Sequence, residues 1–221
     1  MRIKAAIFDV DGTLLDSMGL WKNIGSDYLR ARGISPCEGL DEILKPMSTR
    51  QAAHYYQEAY GLSLSTDEIV DEVNAMIERY YRDEVQLKAG ASEFLALLHQ
   101  KEVSMCIVTA SECALVQAAL RRLNALHFFS RIFTCESVGH GKDEPVIYET
   151  ALSSLGAHKS ETLVFEDALY AIRTAKAAGF RVAAVYDAYE SHPEAVQALA
   201  DFYVRDFSRA ITLVNERGAE L

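Results

Sequence analysis

Lys4-Ala5-Ala6-Ile7-Phe8-Asp9-Val10-Asp11-Gly12-Thr13 runs from an apolar tetrapeptide straight into two carboxylates spaced i, i+2. A stretch of Ala, Ile and Phe with no polar alternation predicts a strand buried on both faces, as in the centre of a parallel sheet. Acidic groups at the end of such a strand are costly unless paired, hydrated or metal-bound. Two carboxylates so placed can share one divalent cation. Gly12 permits a tight turn directly after them. Alone, the segment is equally well a strand that ends in a solvated Asp turn, and the rest of the chain decides between the two.

Working outward, apolar runs recur at Val103 to Val108, Arg131 to Cys135, Thr162 to Phe165, Arg181 to Tyr186 and Phe202 to Val204. Each predicts a short strand. Between them, helical spacing marks Ala91 to Gln100, Glu112 to Asn124, Pro145 to Leu155, Ala168 to Ala178 and His192 to Leu199, with Gly156 and Gly179 as stop signals. Strands that alternate with helices, each strand too apolar for a wet face, predict an α/β fold. Its core is a Rossmann-like parallel sheet, covered on both sides and joined by right-handed crossovers.

The alternation breaks between Asp16 and Lys88, where no strand pattern occurs. Trp21, Ile24, Tyr28 and Leu29, then His54, Tyr55, Tyr56 and Tyr60, then Ile69, Val73, Met76, Ile77, Tyr80 and Tyr81 recur at helical spacing. The expected organisation is a discontinuous sheet domain, 1–15 and 89–221, with residues 16–88 inserted as a helical module. The connections near Leu15 to Ser17 and Gln86 to Gly90 would form a double hinge. An insertion after the first strand is placed over the strand ends, where open α/β sheets bind ligands.

At 221 residues and 50% hydrophobic content the chain can bury one good core and a small satellite. A formal net charge of −10 argues against nonspecific binding to nucleic acid or anionic membrane, since both require a basic field. An anionic small substrate then needs local compensation from a metal, a lysine and backbone N–H groups. Cys37, Cys106, Cys113 and Cys135 contain no C-x-x-C pair, and the six histidines show no zinc-binding spacing. No apolar stretch is long enough for a signal peptide or a membrane span, so a cytoplasmic protein is expected.

Four polar clusters each follow an apolar strand, and a parallel sheet brings all four to one edge. They are Asp9 and Asp11, then Thr109-Ala110-Ser111, then Lys142, then Glu166-Asp167. Singly, Thr109 and Ser111 could cap the next helix, Lys142 could be a solvated loop charge, and Glu166-Asp167 could cap the helix after it. Together they have the composition of a metal and phosphate site. Mg²⁺ takes oxygen ligands and suits carboxylates plus a substrate phosphate. A carboxylate in line with phosphorus can form an aspartyl-phosphate, while a second acid protonates the leaving oxygen.

These residues resemble the haloacid dehalogenase-like phosphohydrolases, in the helical-cap branch that includes β-phosphoglucomutase and phosphoglycolate phosphatase. Asp9-Val10-Asp11-Gly12-Thr13 matches D-x-D-G-T. Ile107-Val108-Thr109 matches the apolar run ending in Ser or Thr, Lys142-x-x-Pro145 the lysine loop, and Glu166-Asp167 the acidic pair. The resemblance implies a phosphoric monoester hydrolase with Asp9 as nucleophile and metal ligand. Asp11 would be the acid/base and a ligand through its carbonyl, and Asp167 with Glu166 would complete the Mg²⁺ shell. Val10, Thr109, the Ala110 N–H and Lys142 would hold the phosphate, and residues 16–88 would be the cap. Val146 stands where an Asp is usual, and Ala168 and Ala171 where Ser and Gly are typical.

In the cap, the turn carrying Lys45, Met47, Ser48 and Arg50 can either face solvent or offer Lys45 and Arg50 to distal groups of a substrate. Three functions follow: a Mg²⁺-dependent phosphatase for a small phosphorylated metabolite, a hexose phosphate mutase, or a binder of phosphorylated ligands without turnover. Intact Asp9 and Asp11 argue against the last. In β-phosphoglucomutases a histidine of the first cap helix helps protect the phosphoenzyme. Its counterpart here, counted from the nucleophile, is Trp21, so hydrolysis is the expectation.

Overall fold

A computed structural model describes residues 3–44, 47 and 49–216. The chain divides into two compact units, residues 1–17 with 85–221, and Met18–Glu84.

The first unit is built on a six-stranded parallel sheet of β1 (Ala5–Phe8), β2 (Ser104–Thr109), β3 (Ile132–Thr134), β4 (Thr162–Glu166), β5 (Arg181–Val185) and β6 (Phe202–Val204). Their order is β3-β2-β1-β4-β5-β6. β1 is central: Phe8 lies beside Ile107 of β2 on one side and Phe165 of β4 on the other. All four residues of β1 are fully buried, which is why the strand shows no polar alternation. Its two faces differ in chemistry. Phe8 stacks on Phe165 with centroids 4.3 Å apart and meets Phe94 edge-on, while Ile7 joins Cys106, Val108, Ile147, Tyr148 and Val164 on the opposite face.

The flanking helices are α5 (Ala91–Gln100), α6 (Cys113–Arg122), α7 (Cys135–Val138), α8 (Val146–Leu155), α9 (Leu169–Ala177), α10 (Pro193–Leu199) and α11 (Phe207–Glu216). Two differ from the expectation. Cys135, expected at the end of a strand, starts α7, because Thr134 and Ser137 form a reciprocal cap there. α11 was not expected at all, yet Phe207 is fully buried against Phe94 at 5.2 Å.

The second unit contains α1 (Met18–Ala31), α2 (Leu40–Leu44), α3 (Thr49–Tyr60) and α4 (Thr66–Arg79), and ends in a π-helical turn at Tyr80–Glu84. A Ser65–Glu68 capping box starts α4. Tyrosine rings fill its core: Tyr28 and Tyr56 lie 5.4 Å apart and are nearly inaccessible. Gly25 makes this packing possible, since a Cβ there would come within 2.3 Å of the Leu44 side chain and 2.8 Å of the Tyr56 hydroxyl. Trp21 donates its indole N–H to the Tyr81 hydroxyl at 2.9 Å.

The unit begins and ends more narrowly than residues 16–88. Asp16 N–H donates to Gln86 O, and Lys88 N–H to Leu14 O, so these residues pair with each other inside the sheet unit. The pairing is anchored by Lys88, whose Nζ donates to Tyr186 O at 2.7 Å and to Asp187 at 2.8 Å. Among the described residues no helix is long and apolar enough to cross a membrane.

Candidate active site

Neighbours of β1 run outward in opposite chain directions, β2 and β3 on one side and β4 to β6 on the other. A crevice opens at such a reversal, outside the carboxyl ends of the strands. Asp9 extends β1 by one residue into that crevice, its N–H still donating to Phe165 O at 3.0 Å. The chain then curls. Val10 O accepts from the N–H groups of both Leu14 and Leu15, Gly12 N–H donates to Leu15 O, and Gly12 has φ of 82°, which a residue bearing a Cβ rarely adopts. This curl brings Thr13, fully buried, back to donate to Asp167 at 2.9 Å.

Asp9, Glu166 and Asp167 each offer a carboxylate oxygen within 4.8 Å of the others, and all three are buried. Lys142, 5% exposed on the loop between α7 and α8, is the ammonium among them. Its Nζ lies 2.5 Å from Asp9 Oδ1 and 2.8 Å from Glu166 Oε2. Glu166 also accepts from the Tyr148 hydroxyl at 3.4 Å and from the Ala168 N–H at 3.3 Å. Asp11 is directed elsewhere. Its two oxygens accept from Ser17 Oγ at 2.6 Å and Ser111 Oγ at 2.5 Å, which orients the carboxylate from two sides.

The charges do not balance. Three buried carboxylates face one ammonium, so burial, followed by the charge of Glu166, pushes Asp9 up to about 7 despite the opposing pull of Lys142. Burial and the charges of Asp9 and Glu166 likewise raise Asp167 well above the carboxylate range. Burial acts to lower Lys142, but Asp9 and Glu166 outweigh it and hold the lysine well above its ordinary value. An all-oxygen donor set with excess negative charge fits a hard divalent cation.

Asp9, Asp11, Thr109, Lys142, Glu166 and Asp167 thus stand together at the sheet edge. Thr109 is fully buried, and its hydroxyl oxygen accepts from the Ser111 N–H at 3.0 Å. Ser111 lies two residues before the start of α6, whose own N-cap, Glu112, makes no side-chain cap bond. Val10 is buried and contributes backbone, while Ala110 is exposed at the end of β2. Arg50 belongs to the helical unit, where it pairs with Asp67 at 2.7 Å. Lys45 lies outside the described residues. Thr13, Ser17, Ser111 and Tyr148 hold the acidic groups in place but were given no such role from sequence. Thr13 and Ser111 sit within or beside the motifs, whereas nothing local marks Ser17 or Tyr148.

The chain is similar to known proteins in sequence and in fold. A family model described as haloacid dehalogenase-like hydrolase matches residues 6–185. Validoxylamine A 7'-phosphate phosphatase of Streptomyces hygroscopicus subsp. limoneus is 31% identical over 178 residues, 80% of this chain and 82% of that protein. N-acetylmuramic acid 6-phosphate phosphatase of Pseudomonas aeruginosa is 29% identical over 198 residues, 88% of this chain and 86% of its own. A Thermotoga maritima crystal structure, provisionally described as a β-phosphoglucomutase, superposes with a TM-score of 0.85 at 23% identity, covering 97% of this chain and 100% of that one.

Proposed function

The chain belongs to the haloacid dehalogenase-like hydrolases, and on that premise we propose that it is a Mg²⁺-dependent phosphatase acting on a small phosphomonoester, a sugar phosphate or similar metabolite, through an aspartyl-phosphate at Asp9. One observation carries the reading: Asp9, Glu166 and Asp167 are buried within 4.8 Å of one another with Lys142 as their ammonium partner. Asp9, Glu166, Asp167 and the Asp11 carbonyl would hold the cation, which when bound supplies positive charge opposite the phosphoryl oxygens.

Asp9 attacks phosphorus in line, forming the O–P bond as the ester oxygen departs. Asp11 gives that oxygen its proton, then takes one from the water that cleaves the acyl-phosphate. Ser17 and Ser111 keep Asp11 aimed, and each hydroxyl can rotate to accept when Asp11 carries the proton. Lys142, Thr109, Val10 and the Ala110 N–H hold the transferring group, with the lysine charge set against its equatorial oxygens. Lys142 also favours the ionised nucleophile against the burial that opposes it. Residues 16–88 are the proposed cap, with Lys45 and Arg50 as its candidates for setting substrate choice.

Release to water, not return to a sugar, is supported by Trp21. The residue at that place carries no imidazole to couple proton transfer to sugar binding, and its N–H is committed to Tyr81. Two of the relatives are phosphatases by name, of validoxylamine A 7'-phosphate and of N-acetylmuramic acid 6-phosphate, which supports a phosphorylated carbohydrate-like substrate.

Phosphate release across a panel of phosphorylated metabolites tests the reading. Release with Mg²⁺, none in EDTA and little with Ca²⁺, whose looser shell lets the nucleophile chelate, is the expected outcome. Turnover that ignores EDTA removes the metal role. Conversion of β-glucose 1-phosphate and a trace of bisphosphate primer to glucose 6-phosphate, with little free phosphate, would make the protein a mutase.

A further inference from the structure

Asp167 and Ala168 form the short connection between β4 and α9. On the β4 side the sheet fixes it, since Glu166 pairs with Ala184 of β5, and the Asp167 carboxylate accepts from Thr13 at 2.9 Å. The α9 side lacks the usual device. A helix start leaves backbone N–H groups without partners inside the helix, and a Ser, Thr, Asp or Asn at the N-cap normally accepts from one of them. The N-cap of α9 is Ala168, which has no side-chain oxygen and makes no cap bond.

The missing acceptor comes from another part of the chain. Glu190, on the loop between β5 and α10, accepts from the Leu169 N–H through Oε2 at 3.1 Å and from the His192 N–H through Oε1 at 2.7 Å. One carboxylate thus serves the first residue of α9 and the residue before α10, and negative charge is favoured at a helix start. The Glu190 side chain is 15% exposed, with His192 Nδ1 3.5 Å away. A carboxylate so far out of water is costly unless its oxygens are bonded, and here each oxygen holds a backbone N–H. The loop is itself braced. Buried Asp187 accepts from the Tyr189 N–H at 2.8 Å and from Lys88 Nζ at 2.8 Å, which fixes the backbone immediately before Glu190.

We propose that Glu190 is a positioning residue for Asp167: by capping α9 from outside the helix, it fixes the backbone on which Asp167 presents its carboxylate to the cation. The inference rests on the metal assignment above and deepens it by adding a residue that touches neither cation nor substrate. A carboxylate on a loosened backbone visits orientations that a hard cation with strict geometry does not accept, so affinity falls although the ligand itself is unchanged. Loss of Glu190 therefore acts on cation binding, and a hydroxyl placed at residue 168 makes Glu190 dispensable.

Calorimetric titration with Mg²⁺ and amide hydrogen exchange, both on the full chain prepared metal-free, test it. Glu190→Ala should weaken Mg²⁺ binding about tenfold and should speed exchange in the peptide spanning Asp167 to Ala171 before any metal is added. Ala168→Ser, introduced into the Glu190→Ala chain, should restore both readings, which a merely structural role for Glu190 would not allow. Glu190→Gln keeps the side chain's size and one acceptor oxygen; it should fall between the two, and it carries the same comparison if the alanine variant does not fold. Mg²⁺ affinity unchanged within about twofold in the Glu190 variants, exchange as slow as in wild type, or a loss that Ala168→Ser leaves in place overturns the assignment while the metal reading stands. A wild-type chain that binds no Mg²⁺ removes the metal reading and this one with it.

Discussion

Lys142 and Arg50 are both cations paired with carboxylates, but they live in opposite surroundings. The lysine side chain is 5% exposed between Asp9 and Glu166, whereas that of Arg50 is 62% exposed against an Asp67 that is 75% exposed. The sheet unit has surface pairs of its own, such as Lys159–Glu149, but buries the charged groups of the site. In the sheet unit Asp9, Lys142, Glu166, Asp167 and Asp187 are all buried. In the helical unit the pairs Arg30–Asp27, Arg82–Asp83 and Arg50–Asp67 lie in water. A buried pair fixes geometry and is costly to break, because the surviving charge is left without a partner. A surface pair contributes little and is easily exchanged. The proposed chemistry therefore sits where substitution is expensive, and the proposed cap residues sit where substitution is cheap.

The sharpest way to break this comparison is at its centre. Asp9→Asn should abolish phosphate release, on the order of 10⁴-fold or more, since the amide can neither attack phosphorus nor carry charge. The fold should survive, because the change removes one of three crowded carboxylates. Measurable turnover in this variant would eliminate the covalent route.

Lys142→Ala should cost about 10²-fold in kcat, in the range of other preorganised donors. Without metal it should also lower stability by roughly 3 kcal/mol, because Asp9 and Glu166 lose their buried counter-charge. A loss of activity below about threefold would place Lys142 outside the reaction.

Next comes stability against pH, read by thermal melting without metal. Asp9 and Asp167 have folded-state values raised above 3.8, so the folded chain binds more protons than the unfolded one in that window. Their contribution to stability is therefore fully present below about 3.8 and declines as pH rises, through about 7 for Asp9. Mg²⁺ should raise the melting temperature more at pH 8 than at pH 5, and Asp9→Asn should flatten the metal-free decline. A metal-free melting curve equally steep in wild type and Asp9→Asn would show that Asp9 is not the group responsible.

The smallest effect belongs to the exposed pair. Arg50→Ala should leave the melting temperature unchanged within error and alter the ranking of substrates more than the turnover of p-nitrophenyl phosphate. A parallel fall across all substrates would assign Arg50 a structural role.

The same division explains what could be read from the sequence. β1, β2 and β4 announce themselves because strands buried on both faces tolerate only apolar residues, and the acidic and hydroxyl groups that interrupt them mark the strand ends. β3 was read too long, since the hydroxyls of Thr134 and Ser137 favour a helix start that apolar content alone does not reveal. α11 was missed although Asp206 accepts from the Arg209 N–H and Phe207, Ala210 and Ile211 fall on one helical face. The pairing of the Ser17 and Ser111 hydroxyls with Asp11 is illegible in the sequence for a different reason. Ser17 and Ser111 lie 6 and 100 positions from it, and a hydroxyl carries no mark of which carboxylate it will meet once the sheet closes.

The paired segments around Asp16 and Gln86 have a consequence for how such a chain can change over time. The helical unit leaves and re-enters the sheet unit on two stretches bonded to each other, Asp16 to Gln86 and Leu14 to Lys88, and the return stretch is anchored by Lys88 to Asp187. Residues gained or lost between Met18 and Glu84 are absorbed beyond that clasp and do not shift the register of β1 against β2 and β4. A phosphate-handling edge can thus be inherited intact while everything between the two stretches is lengthened, shortened or exchanged, as a tool keeps its handle through many changes of head.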